Sequence, residues 1–129
     1  MHKHYLSIAC FLGAITVAMG AFGAHALKAL VDEHSLSVYD TAIRYQFFHT
    51  LALALTALIY KIYPNKLVRL AGLFFLLGII CFSGSLYLLT YKAVIGSEGF
   101  AWAGPITPIG GLFFITGWVL LGFGSKNAM

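Results

Sequence analysis

Tyr45, Gln46 and His49 lie within little more than one helical turn, and intervals of three and four residues return to one face of a helix. Ser83 and Tyr87 repeat the four-residue interval; His25, Arg44, Ser85 and Thr107 complete a set of polar groups in otherwise apolar sequence. Three chemistries suit these residue types. Arg44 can hold an anionic group, with Gln46, His49 and Tyr87 adding directional hydrogen bonds. His25 and His49 can serve as acid and base, with Ser83 or Ser85 as nucleophile. The same two histidines can also act as paired axial ligands of a haem. The enzymatic reading lacks a carboxylate to orient either histidine, because Asp40 and Glu98 fall in connections, and there is no nucleophile elbow or metal-type Cys/His spacing. The haem reading conflicts with Tyr45 and Gln46, which crowd the same face. We therefore expect no catalytic residue, no metal and no cofactor. Plainer roles stand beside these. Serine and threonine in apolar helices commonly bond their own backbone. Tyr87 suits an interfacial belt, Arg44 suits an anchor paired with Asp40 one turn earlier, and His49 suits a hydrogen-bonded core histidine. His2, His4 and His34 fall in the terminus and a connection and carry no signal.

The elements that must position these groups follow from composition. The chain has 129 residues, 60% hydrophobic and 9% charged, where a soluble domain is ~25% charged. This balance excludes disorder and a nucleic-acid partner and leaves a single membrane domain over residues 1–129. A hydrocarbon core of ~30 Å needs ~20 apolar residues in a helix. Four segments meet that length, at about residues 5–27, 43–60, 67–91 and 105–123, and none contains an acid. Runs such as Leu70–Ile80 are apolar on every face and lack the alternation of a barrel strand, so they are helices in lipid. The expected fold class is all-α: an integral membrane four-helix bundle with a short amphipathic helix between spans one and two. Leu27, Leu30 and Val31 supply that helix's apolar spacing, and Ser35 or Ser37 is a candidate cap for the second span's helix. Lys3, the adjoining apolar run and Ala24-His25-Ala26 imitate a signal peptide, but the run is longer than a usual h-region, so we expect it to be retained. Cys10 and Cys81 fall inside spans and read as small packing residues.

Alternating spans put Lys3, Lys61, Lys66, Arg69 and Lys126 at one end of the bundle, and Lys28, Arg44 and Lys92 with all four acids at the other. The positive-inside rule counts Lys and Arg, so both termini are expected in the cytoplasm. Tyr63-Pro64-Asn65-Lys66 reads as a tight turn joining spans two and three. Small residues let helices approach closely in lipid. Span one has Ala9/Gly13, Ala14/Ala18 and Gly20/Ala24, span three has Gly72, Gly78 and Gly84, and span four has Gly110, Gly117 and Gly124. With these spans, the polar set gathers at the outer quarter of the bundle. An uncompensated polar group in hydrocarbon costs several kcal/mol, roughly, and intramembrane ionisable groups mark functional sites by default.

Gly20-Ala-Phe-Gly-Ala-His25, Tyr45-Gln46 with His49, Phe82-Ser-Gly-Ser-Leu-Tyr87 and Thr107-Pro-Ile-Gly-Gly111 with Trp118 resemble the domain-of-unknown-function 423 family. Those are small bacterial inner-membrane proteins, similar to the eukaryotic transmembrane protein 256. The resemblance covers nearly the whole chain, in order. It implies four membrane spans and no assigned activity. Together with the residue pattern, it leads to a non-enzymatic membrane protein whose partners are membrane lipids and which is either a homo-oligomer or part of a larger membrane complex. It would bind a lipid or small amphiphile, or support that complex, through the polar cluster; a small oligomeric transporter is the alternative. Four short helices with one polar end make a poor pore, and no ionisable group marks the inner half.

Overall fold

The structure, a computed structural model, describes residues 2–128. All regular structure among them is helical. Helix α1 (Tyr5–His25) is followed by a single 3-10 turn, Leu27–Ala29, and then by α2 (Glu33–Ile62). Helix α3 (Lys66–Gly78) runs through a π-helical turn, Ile79–Ser83, into α4 (Gly84–Ile95). A second 3-10 turn, Ala101–Ala103, leads to α5 (Ile106–Ser125). Four helical stretches are long and apolar enough to span a membrane, α3 and α4 counting as one.

One boundary differs from expectation, and it has a local cause. Asp32, not Ser35 or Ser37, caps α2: its carboxylate accepts the Ser35 backbone N–H at 2.9 Å. The helix therefore starts at Glu33, ten residues ahead of the apolar run. At ~1.5 Å per residue its length is about 45 Å, more than the bilayer core requires. The separate amphipathic helix expected between spans one and two is accordingly a 3-10 turn plus the first turns of α2 itself. The tight turn between spans two and three forms as expected. Asn65 caps α3 by accepting from Val68 N at 3.1 Å, and its amide donates to the Gly124 carbonyl at 3.0 Å, fastening the turn to the end of α5.

The central pair of the bundle is α2 with the α3–α4 span. Helix α1 packs on α2 and reaches α3 where the Tyr5 hydroxyl donates to the Arg69 carbonyl. Helix α5 packs on α3 and reaches α2 at His49. Ala52, Val68, Ala71, Phe75, Ile79, Phe114 and Leu121 form one core between α2, α3 and α5; Tyr5, Ala9, Leu53 and Leu76 form another between α1, α2 and α3. Of the span-four glycines in the stripe, Gly117 and Gly124 face α3 and Gly110 faces the π-helical turn. A Cβ at Gly117 would meet the Phe75 ring, one at Gly124 would meet Val68, and one at Gly110 would lie 2.6 Å from the Phe82 Cα. Of the span-three glycines, Gly72 receives the Tyr5 ring and Gly78 the Phe114 ring, while Gly84 is open. Large apolar side chains such as Phe11, Ile80, Leu112 and Phe123 point outward, as a lipid-facing surface requires.

Candidate functional site

Because α2 begins at Glu33, Gln46 and His49 stand near the middle of that helix, not at its mouth, and Thr16 stands opposite them near the middle of α1. Thr107, by contrast, is the second residue of α5, at the acidic end of the bundle. Gln46 is 4% exposed and is the hub of a chain of hydrogen bonds. Its amide nitrogen donates to Thr16 Oγ1 at 2.6 Å, and its amide oxygen accepts from the Tyr87 hydroxyl at 2.6 Å. Thr16 donates onward to the Leu12 carbonyl, and Thr50 donates to the Gln46 carbonyl. One side chain thus joins spans one, two and three. Tyr39, one turn and more toward the start of α2, packs its ring against Gly23 and Tyr87 and donates its hydroxyl to the Met19 carbonyl.

His49 points elsewhere. Three residues after Gln46 is about 60° around the helix, enough to face α5 instead of α1. Its ring stacks on Phe114 with centroids 3.5 Å apart and is walled by Phe75 and Trp118. Trp118 Nε1 donates to Nε2 at 3.0 Å, while Nδ1 lies 2.7 Å from the Tyr45 carbonyl. An indole nitrogen only donates and a carbonyl only accepts, so the geometry requires the neutral tautomer with its hydrogen on Nδ1. Both ring nitrogens are therefore occupied within the protein. Tyr45 is half exposed and lays its ring on Phe82 at 4.6 Å.

Ser83 and Ser85 stand at the π-helical turn. Ser83 Oγ donates to the Ala42 carbonyl on α2 at 2.8 Å. Ser85 Oγ bonds the Phe82 carbonyl inside the turn and the hydroxyl of Thr107 on α5. Neither serine touches a histidine, so the nucleophile arrangement does not assemble. Among the described residues no buried side-chain nitrogen or oxygen lacks a partner. Thr50, Thr56 and Thr90 each donate to a carbonyl one turn earlier in their own helix.

Two of the nine sequence-derived residues stand apart. His25 is exposed at the end of α1 and does not converge with His49, so the paired-ligand geometry of a haem does not form. Arg44 is exposed on the outer side of α2, and the expected pairing with Asp40 is absent: the ion pair found among the described residues is Lys92–Glu98 at 3.2 Å. Thr90, a polar residue at the end of span three, also belongs to the polar interior, and so do Thr16 and Tyr39, which sequence reasoning missed. Tyr39 had a signal, since seven residues before Gln46 lies on the same face. A single threonine in the small-residue span gave none.

The end of the bundle that carries all four acids also carries a cleft. Phe22, Leu27, Leu30, Tyr39, Tyr87 and Val94 line an apolar hollow of about 300 Å³ between the end of α1 and α4. Thr90 joins it to a second hollow of about 230 Å³ edged by His34, Ser35 and Lys92. Aromatic floor and polar rim therefore meet at Thr90, directly above Tyr87 and the buried amide of Gln46.

A family model described as a protein of unknown function (DUF423) matches residues 19–111. The chain is 42% identical over 125 residues to a UPF0382 membrane protein of Haemophilus influenzae, covering 97% of this chain and 95% of that protein. It is 35% identical to the UPF0382 membrane protein YwdK of Bacillus subtilis, covering 92% and 93%. It is 37% identical to the UPF0382 inner membrane protein YgdD of Escherichia coli, covering 92% and 86%. No solved structure matches the chain.

Proposed function

This chain belongs to the DUF423 family of membrane proteins, which is described as of unknown function, and from its geometry we infer that it binds an amphiphile without catalysing a reaction. The cleft at the acidic end carries this reading. Its floor of Phe22, Tyr39 and Tyr87 suits a hydrocarbon chain or ring system, and its rim holds Lys92 and His34 where an anionic head would lie. The size suits part of a chain or a small amphiphile, since ligand pockets start at roughly 300 Å³. Lys92 is held by an exposed glutamate, and surface pairs of that kind are worth ~1 kcal/mol or less, so an anionic ligand exchanges for Glu98 at little cost. The buried network below holds Tyr87, and with it the floor, in place. By the positive-inside count we place this end outside an inner membrane and both termini in the cytoplasm, so the ligand enters from the outer leaflet.

The test uses the full chain in lipid nanodiscs and a fluorescent single-chain fatty acid as probe. Val94→Trp fills the hollow and Lys92→Glu reverses the rim charge; each should weaken binding by roughly tenfold or more. Ile115→Trp, on the lipid-facing side of α5, should leave binding unchanged. Equal binding by all four proteins would end this reading.

A further inference from the structure

We propose that two copies of this chain associate through the outward face of α2. That face carries Arg44, Phe48, Leu51, Leu55, Leu58 and Ile62, at alternating intervals of four and three residues. The five apolar members are each about half or more exposed, from 46% at Leu55 to 76% at Ile62. This interval is the seam of a two-stranded coil, in which two parallel helices meet along one stripe. Apolar residues alone would be equally content against lipid. The charges at the acidic end of the seam decide the matter.

Asp40 and Arg44 lie one turn apart on this face, both exposed, and they do not pair with each other in the single chain. Asp40 lies just ahead of the apolar run and Arg44 at its start, so both charges stand at the edge of the apolar seam. A two-fold axis along the bilayer normal sets α2 parallel to the partner's α2 and makes the surface self-complementary. Helical side chains lean toward the N-terminus of their helix. Arg44 therefore reaches about one turn back, to the level of Asp40 of the other copy, and the symmetric pair forms at the same time. A guanidinium grips a carboxylate with two parallel hydrogen bonds, which fixes register as well as charge. Beside the seam, an apolar groove of about 340 Å³ between α1 and α2, floored by Gly20 and Ala21, has Arg44, Phe47 and Phe48 on its α2 wall. The two-fold rotation brings the partner's Phe48 to this side. The contact does not use the cleft at α4, so it stands or falls independently of amphiphile binding there.

The experiment uses the full chain with Cys10 and Cys81 replaced by alanine, reconstituted at high dilution in phosphatidylcholine vesicles. Leu55→Cys on the seam should form a disulfide-linked dimer on mild oxidation, and Val119→Cys on the outward side of α5 should not. In the Leu55→Cys background, Arg44→Asp sets acid against acid and should cut the dimer yield roughly tenfold or more. Adding Asp40→Arg restores opposite charges in reversed order and should bring the yield back to about the starting level. The double variant also shows whether a single variant lost dimer merely by failing to fold. No cross-link at Leu55, or no response to Arg44→Asp, or no recovery in the double variant would overturn the proposal. So would a Leu55→Cys cross-link, with Arg44 intact, that is absent in phosphatidylcholine alone and forms only when phosphatidylglycerol is added, since Arg44 would then be serving an anionic lipid.

Discussion

Replacing Gln46 by leucine separates a structural network from a ligand-binding one. The amide makes two interhelical bonds, to Thr16 and from Tyr87, each 2.6 Å long. Interhelical side-chain bonds in membrane proteins are worth ~0.6 kcal/mol on average and up to ~1.7. Gln46→Leu also strands the Tyr87 hydroxyl, which costs a further ~1–3 kcal/mol. Thr16 keeps its bond to the Leu12 carbonyl and adds nothing to the loss. The sum is about 2–4 kcal/mol of destabilisation. Tyr87→Phe alone strands only the amide oxygen and should cost about 1–2 kcal/mol. The double variant removes both partners, and replacing both by apolar groups is nearly neutral for the pair. It should therefore be more stable than Gln46→Leu alone, and the cycle should show a coupling of about 1 kcal/mol or more. The assay is reversible unfolding in mixed micelles by increasing dodecyl sulfate, monitored by the fluorescence of Trp102 and Trp118. Strictly additive single effects, or a Gln46→Leu variant as stable as the parent, would refute the reading of this network as the clasp between three spans. A Gln46→Leu variant that keeps its stability but loses the fatty-acid probe would give the amide to the ligand instead.

The close approach of α5 to the π-helical turn gives a second contrast. Gly110→Ala drives a methyl into the Phe82 backbone, which no rotamer change relieves, and should cost about 3 kcal/mol or more; Gly122→Ala, where nothing lies within 4 Å, should be neutral or slightly stabilising in the same unfolding assay. Solid-state nitrogen NMR of labelled His49 should report the neutral form with its hydrogen on Nδ1 near pH 7; a hydrogen on Nε2 would show that Trp118 is not its donor. Trp118→Phe leaves Nε2 without that donor and should lower stability by about 1–2 kcal/mol. The hydrogen bond from Ser35 holds the Asp32 carboxyl below the ordinary aspartate range. A depressed folded value stabilises the start of α2 above the unfolded pKa of about 3.9 and loses that contribution as pH falls through the lower folded value. Amide exchange at Ser35 and Leu36, corrected for its intrinsic pH dependence, should accelerate there in the parent; an equal acceleration in Asp32→Ser, whose cap does not titrate, would refute it.

The four spans were legible because a hydrocarbon slab about 30 Å thick tolerates so little. Runs such as Leu70–Ile80 have no other stable home. The seven-residue stripe Gly110, Gly117, Gly124 was legible for a similar reason, since small residues at constant phase serve contact, and all three meet the third span, two on α3 and Gly110 at its π-helical turn. The start of α2 was not. Hydropathy reports where lipid begins, whereas the helix begins where Asp32 supplies an acceptor for a free N–H, and the ten residues between are polar enough to hide it. That one boundary puts Gln46 and His49 near the middle of α2 instead of in its first turns. The partition of Tyr45, Gln46 and His49 was also hidden. They share a face to within the width of a helix, but about 60° separates the neighbour met by Gln46 from the one met by His49. The π-helical turn has no residue signature in Ile79–Ser83, and it decides that Ser83 reaches α2 while Ser85 reaches α5.

What the side chains do with their hydrogen-bonding capacity then argues for where function lies. Gln46, His49, Ser83, Ser85, Tyr87 and Thr107 are bonded within the protein, and a ligand seeking any of them would have to break a bond already made in a medium of low polarity, where bonds are hard to replace. Among the described residues Arg44 and Asp40 have no such partner, and Lys92 has only an exposed one. Recognition costs least at groups that are charged, accessible and poorly satisfied. The buried set therefore acts by holding Tyr87 and the helix faces in place. The exposed set, one pair on the outward face of α2 and one group at the cleft beside α4, is where other molecules should meet this protein. A substitution that disturbs recognition without disturbing stability should accordingly fall at Arg44 or Lys92, and one that disturbs both should fall at Gln46 or His49.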